Sequence, residues 1–268
     1  MELTTQAGEK ASILGLAGQQ QIDVECISVA FETGINYFFF YNLDSENFLV
    51  GLKSLLATKR EQVLVTTGSE DRSIDRLRRY FDACRQQLNI DGVDVFFLEY
   101  VSPSDDINQV QIALDELRSW KEKGLVRYVG ITTHNRAIAL DMIEGFQCEV
   151  LMHRYNIAHR KAEEDVLPAA HRVSIPVVAF TCTRWGTLLK GHPNWQGKLP
   201  TAADCYRYVL QNPAIYLALT APKTRQQLEA NLTVLHTPPL SAQEVACWQE
   251  YGDLIYGTGQ DAFDTQWI

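Results

Sequence analysis

Short apolar runs rich in β-branched and aromatic residues recur along the chain, and amphipathic stretches fill the intervals between them. There are eight such runs: residues 12–16 (SILGL), 35–40 (INYFFF), 62–67 (QVLVTT), 93–98 (VDVFFL), 126–131 (VRYVGI), 148–152 (CEVLM), 176–181 (PVVAFT) and 214–219 (AIYLAL). Runs this short and this uniformly apolar predict strands that are covered on both faces. The intervals read as helices. Residues 73–88 place Ile74, Leu77, Phe81, Cys84 and Leu88 at helical spacing, and residues 107–124 form a second amphipathic stretch that ends at Gly124, with Lys121 and Lys123 near its negative end. Eight strand and helix pairs within 268 residues predict an α/β fold, a (β/α)8 TIM barrel, as a single domain over 1–268. A further helix from Ser241 and a polar, aromatic tail, TGQDAFDTQWI, complete the chain. A doubly wound open sheet is the alternative; no G-x-G-x-x-G follows the first run, which weighs against it.

Charge narrows the partners. Asp and Glu outnumber Lys and Arg by 33 to 24, a net charge of -9 that repels nucleic-acid phosphates. The opening MELTTQAGEK is unlike a secretory leader, and no apolar stretch reaches the roughly 20 residues that span a bilayer. The expectation is a soluble cytoplasmic protein whose partner is a small-molecule substrate, with no nucleic acid, no membrane and an open oligomeric state. The six cysteines, Cys26, Cys84, Cys148, Cys182, Cys205 and Cys247, contain no C-x-x-C pair and read as buried thiols; no metal is expected.

In a barrel of this kind chemistry sits at the C-terminal ends of the strands. Glu99 ends a strongly apolar run, where desolvation raises a carboxyl pKa and lets it exchange a proton near neutrality. Pairing with Arg127 or Arg154 is the structural alternative. Tyr41 lies two residues beyond Phe39, so strand alternation aims it at the same side. His134 and His153 sit just past strand ends as candidate acids or bases, and each has a packing role as its alternative. Arg154, Arg184 and Trp185 are candidates for holding an anionic or aromatic substrate. Lys223 and Arg225 precede or open a helix, a plausible anion site.

Five segments in order, DVFFLEYVSP (94–103), KGLVRYVGITTHN (123–135), RYNIAHRKAEEDVLP (154–168), VVAFTCTRWGTLL (177–189) and APKTRQQLEANL (221–232), resemble the aldo-keto reductases over nearly the whole chain. The resemblance implies NADP(H), bound extended, and hydride transfer to a carbonyl carbon with a Tyr, Lys, His and Asp set managing the proton. That set is replaced: Phe39 stands at the Asp position, Asp44 at the Tyr position, Gly68 at the Lys position and Glu99 at the His position. Without the Lys, nothing lowers a Tyr pKa from about 10. The cofactor positions depart less. Thr132, Thr133 and Met152 stand where the family clamps the nicotinamide amide, Phe180 where it stacks the ring, with Thr181 following, and Lys223, Thr224, Arg225 and Asn231 match the phosphate and adenine loop.

The sequence therefore predicts an aldo-keto reductase-like oxidoreductase using NADP(H) on a small molecule. Its proton donor is non-standard, chiefly Glu99 with Tyr41 or His134, and Asp44 is a further candidate. The alternatives are a non-redox enzyme on the same barrel, performing elimination, isomerisation or hydrolysis with Glu99 and a His, or a binding protein without chemistry.

Overall fold

A computed structural model describes residues 1–257, and a strand overlaps each of the eight apolar runs. β1 (Leu14–Ala17), β2 (Tyr37–Phe40), β3 (Leu64–Ser69), β4 (Val93–Leu98), β5 (Val126–Thr133), β6 (Val150–Arg154), β7 (Val177–Phe180) and β8 (Ile215–Thr220) pair in parallel, each with the next. β8 returns to β1, with Ala218 opposite Leu14 and Thr220 opposite Leu16. The sheet is closed, and the open doubly wound alternative falls. One helix follows each strand: α1 (Glu25–Glu32), α2 (Glu46–Lys59), α3 (Ile74–Leu88), α4 (Ile107–Glu122), α5 (Arg136–Glu144), α6 (Val166–Arg172), α7 (Ala202–Leu210) and α8 (Arg225–Leu232). The extra helix is α9 (Ala242–Tyr256), opened by a capping box between Ser241 and Glu244. The tail after it lies outside the described residues. No helix among the described residues is long and apolar enough to cross a membrane.

Helix ends follow local chemistry. The stretch expected over 107–124 starts at a cap in which Asp106 accepts the Asn108 N–H, and regular helix stops at Glu122. Gly124, at φ 72°, closes the last turn by donating its N–H to Lys121 O.

The aromatic run of β2 is explained by the two-sided burial of a barrel strand. Tyr37 and Phe39 point inward, packing with Leu64, Val95, Phe97, Met152 and Leu217. Phe38 and Phe40 point outward against the helices, with Phe38 6.5 Å from Phe48 of α2. Burying such a side chain contributes about 1.5–3 kcal/mol. The interior accepts these rings because a neighbour gives way: a Cβ at Gly130 would lie 2.4 Å from the Phe97 ring.

The N-terminal end of the barrel is sealed by charge as well as by packing. Asp94, fully buried near the start of β4, accepts hydrogen bonds from Arg60 Nη1 at 2.8 Å, Arg127 Nη1 at 3.0 Å and the Val65 N–H at 2.8 Å. Nearby, the inner cluster ends in Leu3, whose segment folds back through a Thr4–Lys10 bridge.

Candidate active site

At the opposite end the strands open into a cavity of about 700 Å³. Strand alternation decides what enters it. Phe39 and Tyr41 both border the cavity, as their spacing predicts, together with Glu99, Tyr100, Thr132, Met152 and Phe180; Gln19, Lys223, Gln227 and Asn231 border it towards β1 and α8.

Glu99 follows directly on β4, pinned by its N–H to Ser69 O at 2.9 Å. It is 1 % exposed, and neither carboxyl oxygen has a hydrogen-bond partner among the described residues. The carboxyl lies against Gly68 of β3. A Cβ at Gly68 would stand 2.5 Å from Phe97 O, 2.6 Å from Glu99 Cγ and 2.7 Å from Glu99 Oε1. Gly68 and Glu99 are thus one steric unit, in which the glycine clears space that the acid and the Phe97 carbonyl occupy. Burial pushes the Glu99 pKa well above the ordinary carboxyl range; repulsion from Glu70 adds to this, and the Arg72 guanidinium opposes it. Arg72 bonds the Glu99 main chain instead, donating to its carbonyl at 2.9 Å and to Asp105 at 3.0 Å. The Arg127 alternative fails because that side chain is held by Asp94 at the far end of the barrel.

An aromatic series borders this acid. The Tyr41 and Tyr100 rings meet edge to face at 5.8 Å, Tyr100 stacks on His134 at 5.4 Å, and His134 tilts against Phe180 at 5.0 Å. Burial, with smaller repulsion from Arg154, drives the His134 pKa down to about 3, so its imidazole is neutral at physiological pH and has no acidic proton to give as imidazolium. Burial also raises the Tyr100 phenol. Tyr100, Thr181, Arg184 and Trp185 adopt left-handed φ values of 51°, 55°, 50° and 51°. Such backbone costs about 1–3 kcal/mol per residue and gathers here, in the segments after β4 and β7.

The expected cofactor residues divide. Thr132, Phe180, Thr181, Lys223 and Asn231 border the cavity. Thr133 turns the other way and donates to Val101 O at 2.6 Å. Thr132 Oγ1 accepts the Tyr100 N–H at 2.7 Å, and Asn231 donates to Thr220 Oγ1 at 2.9 Å. Thr224 caps α8, accepting from the Gln227 N–H. Arg225 faces away from the cavity's polar end and is matched by Glu229 at 2.8 Å and Glu25 at 3.5 Å.

The remaining candidates lie around the cavity. Trp185 borders it, whereas His134, His153 and Arg154 border a separate hollow with His159 and Lys161. His153 Nδ1 is 2.7 Å from Thr133 O, and burial lowers its pKa to about 4. Arg184 is buried and donates to Ile255 O, tying the β7 loop to α9. Asp44 is exposed outside the cavity, its N–H given to Asn42 Oδ1 at 3.0 Å. Sequence reasoning missed Gln19, Gln227 and Tyr206. Gln227 had a usable signal: it stands one turn into a helix behind Lys223, and its Oε1 accepts the Lys223 N–H at 2.8 Å.

Comparison with known proteins places most of the chain in one family and finds the same fold beyond it. The profile of the Aldo/keto reductase family matches residues 17–198. A probable aldo-keto reductase 1 of Glycine max is 25% identical over 241 residues, covering 74% of this chain and 67% of that protein. Among solved structures, an aldo-keto reductase of Bacillus halodurans in its holo form superposes with a TM-score of 0.76 at 18% identity, covering 93% of this chain and 95% of that one. An aldo/keto reductase of Klebsiella pneumoniae, solved in complex with NADP and acetate, gives a TM-score of 0.78 at 15% identity, covering 94% of this chain and 96% of that one. At these identities the superpositions speak for the fold.

Proposed function

The chain belongs to the aldo/keto reductase family, and on that premise we propose that it is an NADP(H)-dependent oxidoreductase that reduces a small molecule with Glu99 as its proton donor. The observation that carries this reading is the Glu99 carboxyl itself, buried, without a hydrogen-bond partner among the described residues, and bordering the cavity of a reductase barrel.

The cavity suits an extended nicotinamide cofactor at two places. Phe180 offers an aromatic face at the strand ends, and Lys223 brings a cation beside the N-terminus of α8. Support at the amide and adenine positions is thinner, since Thr133 and Arg225 are engaged elsewhere. Phe180 would face the ring, and Lys223 would hold phosphate, whereas the first turn of α8 gives its Arg225 N–H to Asp23 at 3.2 Å and its Gln227 N–H to Thr224 at 3.3 Å. When bound, the cofactor would supply the hydride. The chain supplies the rest. Phe39, Tyr41, Tyr100 and Met152 exclude water and shape an apolar seat for the substrate. Glu99 keeps its proton because burial and Glu70 favour the neutral acid, and it releases that proton where negative charge develops on the substrate.

Titration of NADPH into the protein, followed by calorimetry, tests the cofactor, and Glu99→Gln tests the donor. Heat of binding is expected, with a substrate-reduction rate lower by about a hundredfold to ten-thousandfold in the variant and a melting temperature no lower than that of the wild type. No heat at millimolar NADPH or NADH, or full activity in a normally melting Glu99→Gln protein, removes the proposal.

A further inference from the structure

Resting on the reductase reading above, we infer that the substrate carries a carbon–nitrogen double bond whose nitrogen takes the Glu99 proton. A carboxyl group holds one donor and several acceptor sites, and in this fold none of them has a partner among the described residues. Buried polar groups are rarely left so, and a buried orphan bordering a cavity points to a ligand as the missing partner.

The charges around the cavity select which ligand. Reducing a carbonyl leaves an alkoxide, which calls for a donor made more acidic by a neighbouring cation. Glu99 has little help of that kind: Gly68 and Phe39 bring no charge, Glu70 is a second acid, and Arg72, whose charge opposes that of Glu70, gives its Nη groups to Asp105 and to main-chain carbonyls rather than to the carboxyl. Burial remains the largest influence. Tyr100, Tyr80 and Cys84 also feel the Glu99 charge, and burial raises the pKa of each, so none of them brings a charge of its own near neutrality. Among the described residues that border the cavity only Lys223 carries positive charge, and it stands at the α8 end.

A weak, buried acid of this kind suits a base stronger than a carbonyl oxygen. An imine nitrogen is such a base, and once protonated it forms a charge-assisted pair with the carboxylate it has just created. The aromatic faces of Phe39, Tyr41, Tyr100 and Phe180 also suit a cation. The balance closes. The Glu99 O–H bond breaks as the N–H bond forms; a hydride from the reduced nicotinamide forms the C–H bond; the C=N π pair moves onto nitrogen. The imine is reduced to an amine, the nicotinamide is oxidised, and Glu99 regains a proton from solvent as the product leaves.

The test needs no turnover. Cofactor-free protein is titrated with phenylpyrrolidine, a cyclic amine of the product class, and with phenyltetrahydrofuran, its uncharged oxygen isostere. Wild-type protein should bind the amine at least about tenfold more tightly, and Glu99→Gln should bring the two within about twofold while melting normally. Equal affinities in the wild type, no binding of the amine at millimolar concentration, or a preference that survives Glu99→Gln overturns the inference. NADPH is titrated into the same samples. Binding of NADPH without an amine preference sinks this inference alone, whereas an amine preference without NADPH binding sinks the reductase reading and the hydride step with it.

Discussion

Strand β4 carries one buried carboxyl near its start and delivers another just past its end, and the two have opposite surroundings. Asp94 accepts from two arginines and a backbone N–H. Glu99, equally buried, accepts from nothing among the described residues. The difference fits the proposed division between the two ends of the barrel: a saturated carboxyl holds strands and loops together, while an unsaturated one costs stability and remains available to a ligand.

The contrast breaks most readily at Asp94. Asp94→Ala leaves Arg60 and Arg127 facing a buried gap and should cost about 3–5 kcal/mol in urea unfolding, the usual result of removing one partner from a buried ion pair. A loss under about 1 kcal/mol would mean that water already satisfies both arginines. A smaller effect is expected from Gly68→Ala, whose methyl group meets Phe97 O and the Glu99 side chain. Overpacking of this kind typically costs about 1–3 kcal/mol, and pairing it with Glu99→Ala should recover the part due to the acid but not the part due to the carbonyl. The finest effect is a slope. Because the folded protein holds the Glu99 proton more tightly than the unfolded chain, this carboxyl is least costly below the ordinary carboxyl pKa, and its contribution worsens as pH rises towards its folded pKa. Wild-type stability should therefore fall relative to Glu99→Gln as pH climbs from about 4.5. Parallel stability curves across that range would place a hidden donor beside the carboxyl.

Much of the architecture was legible because parallel barrel strands are apolar on both faces and so stand out as short continuous runs. Their exact ends were not: β3 runs on to Ser69 and β5 to Thr133, beyond the apolar residues that signalled them, because main-chain pairing with the neighbouring strand continues there. Within the site, Glu99 and Tyr41 could be found from strand ends and alternation. Thr133 could have been set aside by the same alternation, since Thr132 already faces the cavity. Arg225 was half legible: its pairing with Glu229, four residues on in the same helix, follows from helical spacing, whereas its longer contact with Glu25, some two hundred residues away in sequence, is brought about only by closure of the barrel.

The steric lock between Gly68 and Glu99 also constrains how such a site is altered, by descent or by design. Any side chain at position 68 meets the Phe97 carbonyl and the acid at position 99 almost together, so a lysine does not fit there while both keep their present positions. Residue 99 has to change first, and the carbonyl of Phe97 must then shift as well. Placing a larger residue at position 68 is therefore a problem of ordering, in which variants that keep Glu99 beside an enlarged residue 68 are the penalised intermediates.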